Sequence, residues 1–258
     1  MSRPDISLFY AARKSALDDR SLKGYSKKGL YGSTANEALD NTCLTTVKKY
    51  RSSNRKLPAG TSLYLEQDVC KEIYIVLDGW VSMNRSVESG RQLILNFLLP
   101  GAFLGFQSDL LAPTDYAVKC VTDTVVCVFP RSTFVTLLDE NPDLAVSLRL
   151  GKAEQEKIMQ DNLINIATRP ARARLAYFML NLHARVVQAY PEQSLTDIHI
   201  PITQQNIADS LGLSNVHVNR AIRTLHKENI LSLKRSRLQI HDFDKLAEIA
   251  AHSETLTV

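Results

Sequence analysis

The 258-residue sequence predicts an α+β protein in which an N-terminal β-roll is followed by a long helix and a C-terminal winged helix-turn-helix. Three observations predict it. Between about residues 57 and 135, short β-rich runs alternate with glycines at turn-like spacing, the pattern of an all-β roll or barrel. From Asn141-Pro142 to Thr168 the chain runs without an internal proline until Arg169-Pro170 breaks it, as a long helix requires. From Thr203 to His241 a helix cap, a glycine turn, a second cap and an apolar stripe precede two short β-rich runs around a basic tip.

Taken in order, residues 1–42 are polar, basic and without sustained periodicity, and they read as an irregular or partly helical arm. The β-roll is expected over 43–140, with strands in Ser62–Leu65, Ile73–Leu77, Trp80–Asn84, Leu93–Leu98, Ala117–Val121 and Thr124–Phe129, and a hairpin turn at Ser89-Gly90. The helix of 141–168 starts with proline in its first turn, where the missing N–H costs nothing. Its apolar positions include Leu144, Leu148, Met159, Leu163 and Ile166, with a polar middle. That suits a partly exposed connecting helix that pairs over part of its length better than a full coiled coil. A further helix is expected over Ala171–Ala184, within a C-terminal domain of 169–258, and Ile198–Ile202 reads as a strand.

The C-terminal domain carries the chemistry. Thr203 is suited to cap a helix holding Ile207 and Leu211, and Gly212 to end it in the left-handed conformation. Ser214 then caps a second helix in which Val218, Ile222 and Leu225 recur at i, i+4 and i+7. Two short helices with a tight glycine turn match the helix-turn-helix. A helix enters the major groove when one face is anchored in a core and the other is free and polar. The stripe is the anchor, leaving Asn215, Val216, His217, Asn219 and Arg220 as base-contact candidates. Thr203, Ser214, Arg223, Lys234, Arg235 and Arg237 are candidates for phosphate contact, the last three from a wing between Ile230–Leu233 and Leu238–His241.

Charge distribution agrees. Residues 1–57 hold twelve basic against five acidic residues, 58–141 five against ten, and 168–258 eleven against eight. Within 215–241, Arg220, Arg223, Lys227, Lys234, Arg235 and Arg237 stand against Glu228 alone. A sensing or scaffolding part joined to a polyanion-binding part is the reading. No apolar run approaches the roughly 18–20 residues of a membrane span, no secretory signal is visible, and Cys43, Cys70, Cys120 and Cys127 form no CxxC pair. A cytoplasmic chain with reduced thiols is expected, without membrane association. No nucleophile elbow, phosphate-cradling loop or zinc-protease signature is present, so no catalytic residue is assigned. The six histidines lack metal-ligand spacing, and neither metal nor cofactor is expected.

The stretches IYIVLDGWVSM, GRQLILNFLLPGAFLG, VTDTVVCVFPR and ITQQNIADSLGLSNVHVNRAIRTLHKENIL resemble the bacterial Crp–Fnr superfamily of dimeric transcription regulators over about residues 55–250. The resemblance implies a cyclic-nucleotide-binding-like jelly roll, a dimerisation helix using Leu144, Leu148, Met159, Leu163 and Ile166, and a homodimer on palindromic double-stranded DNA, with RNA polymerase as a further partner. The family's recognition helix typically holds a glutamate followed four positions later by an arginine. Arg220 supplies the arginine, suited to guanine O6 and N7, whereas Val216 replaces the glutamate and cannot accept a hydrogen bond from cytosine. Cyclic-nucleotide-binding members carry Gly-Glu and Arg-Ser elements; here they align with Gly105-Phe106 and Asp115-Tyr116, and a carboxylate in place of a phosphate-binding arginine repels that ligand. Oxygen-sensing members need an N-terminal cysteine group, and Cys43 alone precedes the roll, too few for a four-thiolate cluster. Cys120 and Cys127 read as buried apolar thiols, with redox sensing a separate hypothesis. The effector stays open. The alternative is a small-molecule-binding roll acting through protein contacts, with a non-functional DNA-binding domain.

Overall fold

The structure, a computed structural model, describes residues 49–88, 90–105, 112–190 and 194–252. The expectations for the arm 1–42, Cys43, Ser89 and Phe106 lie outside the described residues. The chain divides into two compact units, one formed by 49–85 with 97–155 and the other by 86–96 with 156–252. Among the described residues no helix is long and apolar enough to cross a membrane.

Between residues 53 and 130 the strands are β1 (Ser53–Leu57), β2 (Ser62–Tyr64), β3 (Glu72–Asp78), β4 (Val81–Ser86), β5 (Gln92–Leu98), β6 (Phe103–Leu104), β7 (Ala117–Cys120) and β8 (Thr124–Pro130). They form two four-stranded sheets, ordered β1-β8-β3-β6 and β2-β7-β4-β5. The pairs β1–β8, β3–β8, β2–β7 and β4–β7 are antiparallel, giving the jelly-roll-like fold the sequence predicts. In the register Met83 opposite Val118 and Val81 opposite Cys120, both partners are buried, so these residues form the core face. Ile75, Val76 and Leu77 of β3 and Val125–Phe129 of β8 are fully buried on both faces, because the second side of their sheet is covered too. The cover is helix α1 (Arg131–Glu140), whose Phe134 ring packs edge-on to Phe129 at 5.4 Å and to Phe103 at 6.5 Å. Gly79 makes a close approach possible: its φ is +88°, and a Cβ there would lie 2.4 Å from the Asp123 carbonyl oxygen.

Sequence reasoning carries the β-signal through residue 135 and opens the helical part at 141, so α1 is missed. Thr133, Val135 and Thr136 have weak helix propensity, and only Phe134 and Leu137 are buried. The packing of two side chains decides the element, against its propensity. Strands β1 and β6 are missed for a similar reason: β1 (Ser-Asn-Arg-Lys-Leu) has no alternation, and β6 has two residues.

Helix α2 spans Pro142–Thr168, as predicted. Helix α3 (Ala171–Ala189) extends five residues beyond its expected end. The remaining elements are β9 (Asp197–His199), α4 (Gln204–Leu211), α5 (Asn215–Lys227), β10 (Leu231–Lys234), β11 (Arg237–Ile240) and α6 (Phe243–Ala251). The sheet order β10-β11-β9 makes the predicted wing three-stranded. Its core joins Ile198, Leu231 and Leu238 to Leu175, Met179, Leu182, Ile207, Val218, Leu225 and Leu246, all fully buried or nearly so. Helix α6 was not foreseen, although Asp242 caps it by accepting from the Lys245 N–H at 2.9 Å.

Candidate nucleic-acid interface

Both helix starts are fixed as the sequence predicts. Thr203 Oγ1 accepts from the Asn206 N–H at 3.1 Å while Asn206 Oδ1 accepts from the Thr203 N–H at 2.9 Å, a reciprocal capping box. Gly212 ends α4 at φ +64°. Ser214 Oγ accepts from the His217 N–H at 3.3 Å and lies 2.9 Å from His217 Nδ1. The hydroxyls expected to meet phosphate are therefore engaged in caps. Their first task is to hold the helix N-termini, whose remaining N–H groups suit an anion.

The turn is braced from behind. Arg174 on α3 donates through Nη1 to the Leu211 carbonyl at 2.9 Å, placing a cation at the negative end of α4. Arg172 pairs with Glu228, which terminates α5. Val218, Ile222 and Leu225 are buried, together with Ala221. With α5 held by that stripe, its other face is open: Asn215, Val216, His217, Arg220 and Arg223 are exposed and Asn219 is half-buried. Val216 is 66% exposed, so its methyl groups are available to an outside partner.

These side chains surround one open groove of about 840 Å³, lined by Thr203, Gln204, Gln205, Asn215, Val216, Asn219, Arg220, Arg223, Thr224 and Lys227. The structure thus brings together the sequence-predicted Asn215, Val216, Asn219, Arg220, Arg223 and Thr203. It adds Gln204, Gln205, Thr224 and Lys227, which sequence reasoning did not assign to the site. Asn219 Nδ2 donates to Gln204 Oε1 at 3.0 Å, and Asn215 Nδ2 donates to Gln205 Oε1. The signal for the two glutamines was the Gln-Gln pair directly after the cap, which has no core role to explain it.

Outside that groove, the wing turns at Arg235 and Ser236, with φ of +49° and +61°. Two successive left-handed residues in a two-residue connection match a type I′ hairpin. Lys234 and Arg235 stand exposed at this tip. Arg237 differs. Its guanidinium is held by Asp197, with Nη2 to Oδ2 at 2.8 Å and Nε to Oδ1 at 3.0 Å, so part of its charge is neutralised inside the subunit.

Among the residues predicted for dimerisation, Met159 and Leu163 are 38% and 69% exposed, and Ile166 is half-buried. Leu148 is 7% exposed, buried within the single chain rather than on its exposed apolar surface. The side chain of Leu144 lies outside those described. Val146 and Ile164, 55% and 53% exposed, are apolar surface that sequence reasoning passed over. Cys120 and Cys127 are buried, as read, and so is Cys70. Burial pushes the Cys70 thiol up to about 11 and the Cys120 thiol upward as well, which keeps both protonated at neutral pH and poorly nucleophilic.

Two family models match the chain: a cyclic nucleotide-binding domain over residues 54–141 and a Crp-like helix-turn-helix domain over 173–249. The chain is 24% identical to the nitrogen fixation regulation protein FixK of Bradyrhizobium diazoefficiens, covering 75% of this chain and 80% of that protein. It is 26% identical to the fumarate and nitrate reduction regulatory protein of Escherichia coli K12, covering 78% and 81%. Among solved structures, FixK2 of Bradyrhizobium japonicum superimposes with a TM-score of 0.70 at 23% identity, covering 78% of this chain and 98% of that one.

Proposed function

The chain belongs to the Crp–Fnr superfamily, and on that premise we propose that it acts as a homodimeric transcription regulator that binds a palindromic promoter site through α5. The observation that carries the reading is the division of α5 into a buried face, Val218, Ile222 and Leu225, and an open face centred on Arg220. The open face is what a duplex needs, and the groove beside it is lined by amides and guanidinium groups rather than by a closed apolar pocket.

In this reading Arg220 makes a bidentate contact to guanine, while Val216 meets a thymine methyl where the family's glutamate would accept from cytosine. The half-site accordingly departs from the common family sequence. Lys234 and Arg235 touch phosphates from the wing, and Arg223 and Lys227 do so from the flank of α5. The exposed apolar residues of α2 form the subunit contact, setting two recognition helices about 34 Å apart, one turn of duplex. RNA polymerase and a cytoplasmic location follow from the family role. Cyclic nucleotide is not the effector in this reading. Asp115 is exposed where the family's phosphate-binding arginine would stand, and Tyr116 packs against Tyr64 at 6.0 Å.

Selection of bound DNA from a random pool by the purified full-length protein at fixed salt tests this. The expected product is a palindrome with a guanine in each half-site. Arg220→Ala should weaken binding to it by about 1–3 kcal/mol and relax preference at that guanine. Substituting Lys234 or Arg235 should weaken all sequences alike. An Arg220→Ala protein that binds the selected site as tightly as wild type overturns the assignment.

A further inference from the structure

We propose that Asn215 is an adenine-reading residue, and that Gln205 and Asp209 are positioning residues that decide which end of its amide faces the DNA. The inference rests on the DNA-binding reading above and adds a base identity and a mechanism for it.

A carboxamide looks nearly the same either way round, yet its two ends are opposite in hydrogen bonding. What orients one is a neighbour with a single polarity. Asp209 is such a neighbour, because its side chain carries oxygens and no amide nitrogen, and here it accepts. It lies one helical turn after Gln205 on α4, and Gln205 Nε2 donates to Asp209 Oδ1 at 2.8 Å, an i, i+4 pair. With its nitrogen committed to Asp209, Gln205 turns Oε1 towards α5. There it accepts from Asn215 Nδ2. The polarity set at Asp209 is thereby passed across two side chains to the first residue of the recognition helix.

The consequence is stereochemical. By taking the Nδ2 hydrogen that points away from Oδ1, Gln205 would leave the other N–H and Oδ1 of Asn215 side by side as a donor–acceptor pair. In the major groove adenine offers the matching edge, with N7 to accept and the N6 amine to donate. Guanine offers two acceptors, cytosine a donor alone, and thymine an acceptor beside a methyl group. Asn215 lines the same groove as Arg220, so the two contacts fall within one half-site. One turn further along α5, Asn219 repeats the arrangement with Gln204 at 3.0 Å, with no carboxylate hydrogen-bonded to Gln204 among the described residues.

The test compares full-length variants on the DNA selected by the wild-type protein, at one salt concentration, with each base in turn at every half-site position. Wild type should require an adenine near the guanine that depends on Arg220. Asn215→Ala should lose roughly five- to 150-fold of the discrimination at that adenine while keeping the guanine preference. Asn215→Asp, which only accepts, should shift the preference towards cytosine.

The positioning roles have their own signature. Asp209→Asn should lower discrimination at the adenine without lowering total affinity, since it removes a negative charge near the polyanion. Asp209→Glu should retain the preference, and Gln205→Met should lose it. An adenine preference that survives Asn215→Ala overturns the inference and leaves the DNA-binding reading standing. A preference that depends on Asn215 but ignores both Asp209→Asn and Gln205→Met overturns the positioning roles. A pool from which the wild-type protein selects nothing overturns the DNA-binding reading, and this inference with it.

Discussion

Asp197 shows how one residue couples the stability of the wing to its charge. Hydrogen bonds from Arg237 and then from Gln239, the latter at 3.1 Å, hold its carboxyl below the usual carboxylate range. A carboxylate whose folded value is depressed binds fewer protons folded than unfolded over the interval between the two values. Its stabilisation is therefore fully present above the ordinary value near 3.8 and is lost as pH falls through the lower, folded value. The pair is solvent-accessible, so the contribution is small. Asp197→Asn should flatten the decline of melting temperature on the acid side of pH 4. The same substitution releases Arg237. If the freed guanidinium meets a phosphate, affinity should rise alike for specific and random duplexes, and the slope of log K against log salt should steepen by about 0.9 per added phosphate contact. Titrations at several salt concentrations read this directly.

At the scale of elements, legibility followed how local the determinants are. The α4–turn–α5 unit was readable because Thr203, Gly212 and Ser214 act within three or four residues of their partners, and because Val218, Ile222 and Leu225 repeat at helical spacing. Helix α1 was not, since what stabilises it is Phe134 meeting Phe129 and Phe103 from elsewhere in the chain. The pairing of Asn215 with Gln205 and Asn219 with Gln204 is intermediate. Its residues stood in plain view, but which amide meets which depends on the angle between two helices. Gly212 separates backbone conformation from packing as a cause. A Cβ there would meet only the side chains of Ile166 at 3.9 Å and Arg174 at 4.0 Å, which is ordinary contact. Gly212→Ala should therefore cost only the left-handed backbone penalty, about 1–2 kcal/mol, measured by urea unfolding. Gly79→Ala should cost more, because it adds a 2.4 Å clash with a backbone oxygen to the same penalty.

For the whole molecule, the apolar residues left uncovered on α2 connect the fold to the proposed mode of binding. Met159 and Leu163 lie one turn apart, Ile164 is adjacent, and all three are more than a third exposed in the single chain. Large aliphatic side chains on one stretch of an otherwise polar helix are the mark of a surface covered in an assembly. Met159, Leu163 and Ile164 lie in the later part of α2, the part followed by Arg169-Pro170 and the DNA-binding elements, while Val146 is a separate exposed position near its start. A subunit contact there would fix how far apart two copies of α5 lie, and hence which half-site spacing is accepted. Leu163→Glu puts a charge at the most exposed of these positions, where it disturbs nothing inside the subunit. It should convert the protein to monomer by sedimentation equilibrium with little change in melting behaviour beyond the loss of the partner. Linking two half-site contacts raises affinity by a factor of about 10²–10⁴ over one, so the monomer should lose affinity of that order on a palindrome. On a duplex with a single half-site, wild type and Leu163→Glu should bind alike. Equal losses on both duplexes would mean that the substitution damages the DNA-binding unit itself, and that α2 does not set the spacing.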